Sequence, residues 1–369
     1  MDRQRSSAVP LAWLYAGLIA YASLYPFGGW RLPGHEPLHF LWLPWPRYWT
    51  GFDVASNLIG YMPLGALVFG AAMRGGRAPG PSALAALGAG ALLSFTMELL
   101  QNYLPHRVAS NLDLGLNVAG SAAGAALGLL VHLLGGVARW QALRDRWFIA
   151  RSAGGLALLL LWPLGLLFPS PVPLGLGQVW PRLQDGLRAL LDGSPLFYVA
   201  APWLAADAVL EPLGAGQELA TVSLGLLAPC MIALAIAQPG WRRIVLVLGA
   251  AVLGVAATTL STALNFGPDH ALAWRTTNAA AGVALGTLLA LLATLLPRRM
   301  AAGIGLVALS ALVALVAHAP ADPYFADSLQ AWEQGRFIRF HGAAQWVGWL
   351  WPYAALVYLL SRVAARDEA

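Results

Sequence analysis

Ten apolar runs set the rhythm of this chain, at 9–27, 54–73, 82–103, 112–134, 153–168, 219–237, 243–264, 275–296, 302–318 and 344–362. Most come close to the ~20 residues that a helix needs to cross a bilayer core. The pattern predicts an all-α polytopic membrane protein, a helix bundle of roughly ten transmembrane spans, with 153–168 the shortest. A Pro-rich stretch at 169–217 is too polar to span and is predicted to lie on the outer face as loops and interfacial helices. Tryptophans flank the runs, in LWLPWPRYW at 41–49 and at Trp332, Trp346, Trp349 and Trp351. An amphipathic ring is at home at the headgroup level.

The runs also echo one another. LAWLYAGLIAYASLYPF (11–27) resembles GLALLLLWPLGLLFPSP (155–171), 53–68 resembles 218–234 loosely, and 115–128 resembles 276–289. Two four-span repeats of parallel orientation are predicted, followed by two extra spans. The organisation expected is a first repeat at 1–136, a basic cytoplasmic linker at 137–152 and a degenerate second repeat at 153–297. The last segment, 298–369, carries the two C-terminal spans with an outer loop at 319–343.

Composition fits this picture. Only 11% of the 369 residues are charged and 59% are hydrophobic, whereas a soluble domain carries about 25% charged residues. All 22 basic side chains are arginines, which excludes lysine chemistry such as a Schiff base or a phosphate-loop lysine. They are scattered between runs rather than clustered, so nucleic acid is not an expected partner. With the N-terminus inside, fourteen arginines fall on the inner side and eight on the outer. That bias predicts cytoplasmic termini at both ends. Ala20-Tyr21-Ala22 has the look of a signal-peptidase site, but the apolar run continues past it, so 9–27 is read as an uncleaved span. Cys230, the sole cysteine, excludes an intrachain disulfide.

The polar residues of the first repeat gather towards one side of the membrane. Asp53 and Asn57 open the second span, Glu98 and Gln101 close the third, Arg107 and Ser110 stand in a short outer turn, and Asp113 and Asn117 open the fourth. Residues three or four apart share a helix face, so Asp53 stacks on Asn57, Glu98 on Gln101 and Asp113 on Asn117. Gly120, Gly124 and Gly128 extend the last face as a small-residue stripe that lets another helix approach closely. That stripe is read as packing within the monomer. Pro63 removes a backbone donor and frees the Ile59 carbonyl, a candidate kink. Ionised groups cost roughly 2.5–3.5 kcal/mol near a span centre, so the three carboxylates and the arginine are expected to converge on a cavity open to the outside. An ungapped alignment of the repeats places Thr259, Thr262, Pro268 and Trp274 where Glu98, Gln101, Arg107 and Asp113 stand. The second copy therefore reads as an apolar frame that has lost its charges.

Several spaced motifs then carry a specific resemblance. D-x3-N-x5-P-x-G at 53–65, E-x2-Q at 98–101, and R-x2-S-x2-D-x3-N-x2-G-x3-G at 107–124, preceded by Tyr25-Pro26-Phe27, resemble the VanZ-like family of bacterial membrane proteins over about 9–134. The family's namesake confers resistance to teicoplanin, a lipid-tailed glycopeptide. The resemblance implies a multi-pass protein of the bacterial cytoplasmic (inner) membrane with an envelope or antibiotic-resistance role.

Taken together, the polar set reads as a ligand-binding cavity for a membrane lipid, a lipid-linked cell-wall intermediate or a lipoglycopeptide. Arg107 would meet a phosphate or carboxylate, and the carboxylates and amides would orient hydroxyl or ammonium groups. Three alternatives stay open: a membrane enzyme using Glu98 and Asp113 as acid and base, a transporter, and a purely structural cluster that clamps helices together. No cofactor or metal is expected. His35-Glu36-Pro37-Leu38-His39 matches H-E-x-x-H, but that motif requires one continuous helix, and Pro37 after Pro33-Gly34 leaves His35 outside any helix.

Overall fold

A computed structural model describes residues 8–25, 27–45, 49–105, 107–168, 170–204, 213–317, 319 and 338–364. Arg3, Arg5, Pro26, Arg47, Trp332, Arg336, Arg366 and most of the predicted outer loop 319–343 lie outside these residues, as does 205–212 of the outer insertion. The described residues form helices and connecting segments with no β-strand. The chain divides into two compact units, Met1–Ala142 and Leu143–Ala369.

In the first unit, α1 is Ala8–Leu24, α2 Gly51–Arg74, α3 Pro79–Gln101 and α4 Asn111–Leu133. Local sequence explains their ends. Thr50 accepts from the Asp53 amide while the Asp53 carboxylate accepts from Thr50, a capping box that starts α2. Pro79 opens α3 at the position where its missing donor costs nothing. Ser110 caps α4 by accepting from the Asp113 amide. Helix α2 runs on through Pro63, and Tyr15 of α1 donates to the Gly60 carbonyl, 3.0 Å away, beside the carbonyl that Pro63 leaves without its helical partner.

The tightest pairing in this unit is α2 against α4, and glycines make it possible. A methyl added at Gly120 would overlap the Leu58 carbonyl, one at Gly124 the Met62 carbonyl, and one at Gly65 the backbone of Ser121. Small residues on both helices thus bring the two backbones into contact. Gly128 faces the Phe69 ring in the same row. The stripe seen in the sequence is spent inside the unit. Helix α3 packs on both members of the pair, and α1 packs on α2 and α3 around Ile19, Tyr61, Leu64, Met97 and Leu104.

Helix α5, Gly136–Trp147, occupies the predicted linker. The second unit adds α6 (Ala153–Leu166), α7 (Trp180–Leu191), α8 (Pro195–Leu204), α9 (Ala215–Ile236), α10 (Trp241–Phe266), α11 (Thr277–Ala293), α12 (Arg298–Ala317) and α13 (Ile338–Ala364). Helix α9 is its axis, 83% buried over its most apolar stretch, with α6, α10, α11, α12 and α13 packed around it. The C-terminal helices α12 and α13 are therefore built into the same unit as α6–α11.

Every predicted span falls on a helix. By length and composition six of them, α2, α3, α4, α9, α10 and α12, can cross a membrane, and α1, α6 and α11 are apolar but shorter. The 14 residues of α6 rise only about 21 Å, against a ~30 Å core.

The stretch 170–179 departs from the expectation of an outer-face loop. Val172, Leu174, Leu176 and Val179 are buried in the core of the second unit. The Gly177 amide donates to the Gly348 carbonyl, and the Gln178 amide donates to the Ala319 carbonyl. Leu174 adopts φ +63° and lays its carbonyl against Gly225 of α9, where a Cβ would not fit. Non-helical backbone at this depth is tolerated because protein surrounds it. The rest of the insertion forms α7 and α8, whose described side chains are mostly exposed or half-buried.

Candidate functional site

The loop between α1 and α2 is stitched to the far end of α3. The Arg31 amide donates to Tyr103, Asn102 donates to the Pro37 carbonyl at 3.0 Å, and Asn111 donates to the Leu43 carbonyl. A 3₁₀ turn at His39–Trp42 buries Phe40 against Phe95 of α3. Under this loop lies a cavity of about 440 Å³, with Arg31, His35, His39, Asn102 and Arg107 as its polar walls. Trp42, Trp45 and Trp49 stand exposed nearby in sequence.

Among the residues singled out in the sequence, Arg107 lines this cavity. Its guanidinium donates to the Tyr25 carbonyl at 2.8 Å and reaches the Ala22 carbonyl at 3.5 Å. Those carbonyls belong to the C-terminal turn of α1, where a cation complements the helix dipole. These bonds hold the guanidinium at the end of α1.

The other members form a framework behind the cavity. Glu98 is 3% exposed and accepts from the Ser110 amide at 2.8 Å, at the N-terminus of α4, where negative charge is favoured. The Asn57 amide donates to Asp113 at 2.8 Å, bridging α2 to α4. Gln101 donates to the Ser23 carbonyl, fixing α3 to α1. Asp53 is exposed and holds the capping box. Asn117, 5% exposed, donates to the Ser94 hydroxyl at 2.9 Å, while its carbonyl oxygen has no partner. The polar set thus lies at the same ends of α2, α3 and α4, but Asp53, Asn57, Glu98, Gln101, Ser110, Asp113 and Asn117 do not line the cavity.

Two groups of residues escaped the sequence reading. Arg31 stood out only as a topology marker, and His35 and His39 only as a zinc motif. In the structure His35 sits in a bend before the 3₁₀ turn, with the two rings 6.3 Å apart. Ser94, Tyr61 and Ser121 continue the polar seam inward, with the Tyr61 hydroxyl beside Ser94 and the Ser121 hydroxyl buried without a partner. Spacing held that signal: Ser94 lies four residues before Glu98, and Ser121 four after Asn117.

Residues 7–132 match the VanZ/LLP1 family model. About a third of the chain, coinciding with α1 to α4 and the cavity, is therefore VanZ-like. No curated protein and no solved structure matches the chain.

Proposed function

We propose that the VanZ-like unit holds the anionic head group of an amphiphile at the outer face of the bacterial cytoplasmic membrane, in a chain of roughly ten spans with both termini inside. The ligand class is a membrane lipid, a lipid-linked cell-wall intermediate or a lipoglycopeptide, which gives the protein an envelope or antibiotic-resistance role. One observation carries this reading: two arginines and two histidines, Arg31, Arg107, His35 and His39, share one cavity of about 440 Å³. Guanidinium forks match phosphate and carboxylate oxygens, and exposed tryptophans beside the loop suit the headgroup level. In this reading Asn102 orients the head group. Asn57, Glu98, Gln101, Ser110, Asp113 and Asn117 keep the ends of α1 to α4 in place, so the ligand-facing set shifts from the acids to the loop.

Native mass spectrometry of the whole protein, released from nanodiscs containing phosphatidylglycerol and phosphatidylcholine, tests it. The wild type is expected to retain phosphatidylglycerol, with at least tenfold less in Arg31→Ala and in Arg107→Ala. Arg31 makes no side-chain bond to the framework, so its loss separates binding from folding. Equal retention of both lipids, or retention unaffected by Arg31→Ala, sinks the proposal.

A further inference from the structure

The second unit, whose matched positions had lost the charges of the first, contains a cavity of its own, also about 440 Å³. Glu218 of α9, Thr276 and His270 give it polar walls, and Leu174, Phe266 and Trp274 give it apolar ones. The buried segment 170–179 closes one side. The sequence comparison tracked positions equivalent to Glu98, Gln101, Arg107 and Asp113, so it missed a carboxylate that enters from the first turn of a different helix.

A carboxylate on its wall marks this cavity as a place for a ligand. Glu218 accepts from the Thr276 hydroxyl at 2.7 Å and from the Asn278 amide at 2.9 Å. Both donors are neutral, and Glu218 has no ion-pair partner among the described residues. Its charge is fixed in place in the first turn of α9, where the helix N-terminus favours an anion, and about two of its roughly four acceptor sites remain open to a ligand. Separately, Thr258 is 7% exposed and its hydroxyl oxygen has no hydrogen-bond partner. That oxygen is shielded from the cavity as well, so Thr258 meets the space only through its other atoms.

Among the described residues no arginine lines the space, so phosphates and carboxylates are disfavoured there. The aromatic walls suit a cation, whose attraction to a ring face is strengthened when water is excluded. We propose that the second unit binds an ammonium group carried on an apolar stem, with Glu218 as its counter-ion and Trp274 and Phe266 around the stem. The ammonium can come from an ethanolamine or choline lipid head or from a soluble amphiphilic amine. This site is independent of the anionic site proposed for the first unit.

The test is native mass spectrometry and calorimetry on the full chain in a non-ionic detergent, with decyltrimethylammonium as probe and decyl phosphate as a tail-matched control. One equivalent of decyltrimethylammonium is expected to bind, at least tenfold more weakly to Glu218→Gln. Arg31→Ala, in the other unit, should bind it as the wild type does. Gln keeps the acceptor for Thr276 and Asn278, so the fold should hold. Should Glu218→Gln fail to fold, Ala273→Trp, which fills the cavity from an exposed position, must abolish binding instead. Co-purified phosphatidylethanolamine that disappears in the variants identifies a lipid source, whereas binding of the added amine alone identifies a soluble one. No retention of any amine, equal retention of decyl phosphate, or binding indifferent to both Glu218→Gln and Ala273→Trp overturns the proposal.

Discussion

Each unit is organised around one close helix pair, α2 with α4 in the first and α9 with α11 in the second, and the two pairs are closed by the same device. Gly120 and Gly124 seat α4 on the Leu58 and Met62 carbonyls, and Gly282 and Gly286 seat α11 on Leu219 and Ser223. A bond between an amide and a carboxylate side chain then ties each pair near its end, with the polarity reversed. In the first unit α2 supplies the amide, Asn57, and α4 the carboxylate, Asp113. In the second α9 supplies the carboxylate, Glu218, and α11 the amide, Asn278. Backbone contact tolerates no side chain, so glycine is dictated, whereas a hydrogen bond works in either direction. The frame is therefore strict while the charges around it are free to differ, and the two cavities differ in this: two arginines line the first, and a carboxylate the second.

The sharpest way to break the comparison is to separate the backbones. Gly124→Val should lower thermal stability most, by about 3 kcal/mol or more, because the added atoms meet the Met62 backbone, which cannot step aside. Gly286→Val should do the same in the second unit, against the Ser223 backbone. Gly70→Ala is the control: it meets nothing within 4 Å and should be neutral or stabilising by up to ~1 kcal/mol. If Gly124→Val and Gly70→Ala melt alike in detergent, the close pair is not what holds the unit.

A smaller loss, about 1.5–3 kcal/mol, is expected for Arg107→Ala, which removes charged donors from the Tyr25 and Ala22 carbonyls. It should loosen α1, read as faster hydrogen exchange at 19–25, with the α2–α4 amides unchanged. Protection lost equally everywhere would mean that Arg107 supports the whole unit.

Smaller again are the two polar ties. Double-mutant cycles on Asn57–Asp113 and on Glu218–Asn278, using alanine at each position, should each give a coupling of about 0.6 kcal/mol, within a ceiling near 1.7. Similar couplings would show that donor direction is immaterial. A coupling above 2 kcal/mol in the first unit alone would place Asp113 in a more demanding role than a tie. The smallest effect is expected for Ser121→Ala. Its buried hydroxyl has no partner, so removing it should leave stability unchanged or slightly raised.

The helices and their ends were legible along the chain because they rest on local chemistry. Apolar run length gave the helices at each predicted position. Thr50 with Asp53, Pro79, Ser110 and Thr276 set helix starts, and the Gly120–Gly128 row announced a close approach. Residues near one another in sequence share a helix end, and the polar set falls at one end of α2 to α4. Which of them faces a cavity was not legible. Glu98 meets Ser110, Asn57 meets Asp113 and Gln101 meets Ser23, and these partners lie on other helices.

By itself, then, the sequence determined a helical membrane protein with a VanZ-like first third, since hydropathy, capping and glycine spacing act within a turn or two of helix. Tertiary structure alone decided the rest. It folded the loop 27–45 over α3 so that Arg31 and His39 join Arg107, drew the Pro-Gly segment 170–179 into a helical core, and turned Glu218 towards a cavity. The physical reason is common to all three. A side chain's charge and a backbone's bends are written locally, but the surroundings that give them a use are assembled from segments far apart in the chain.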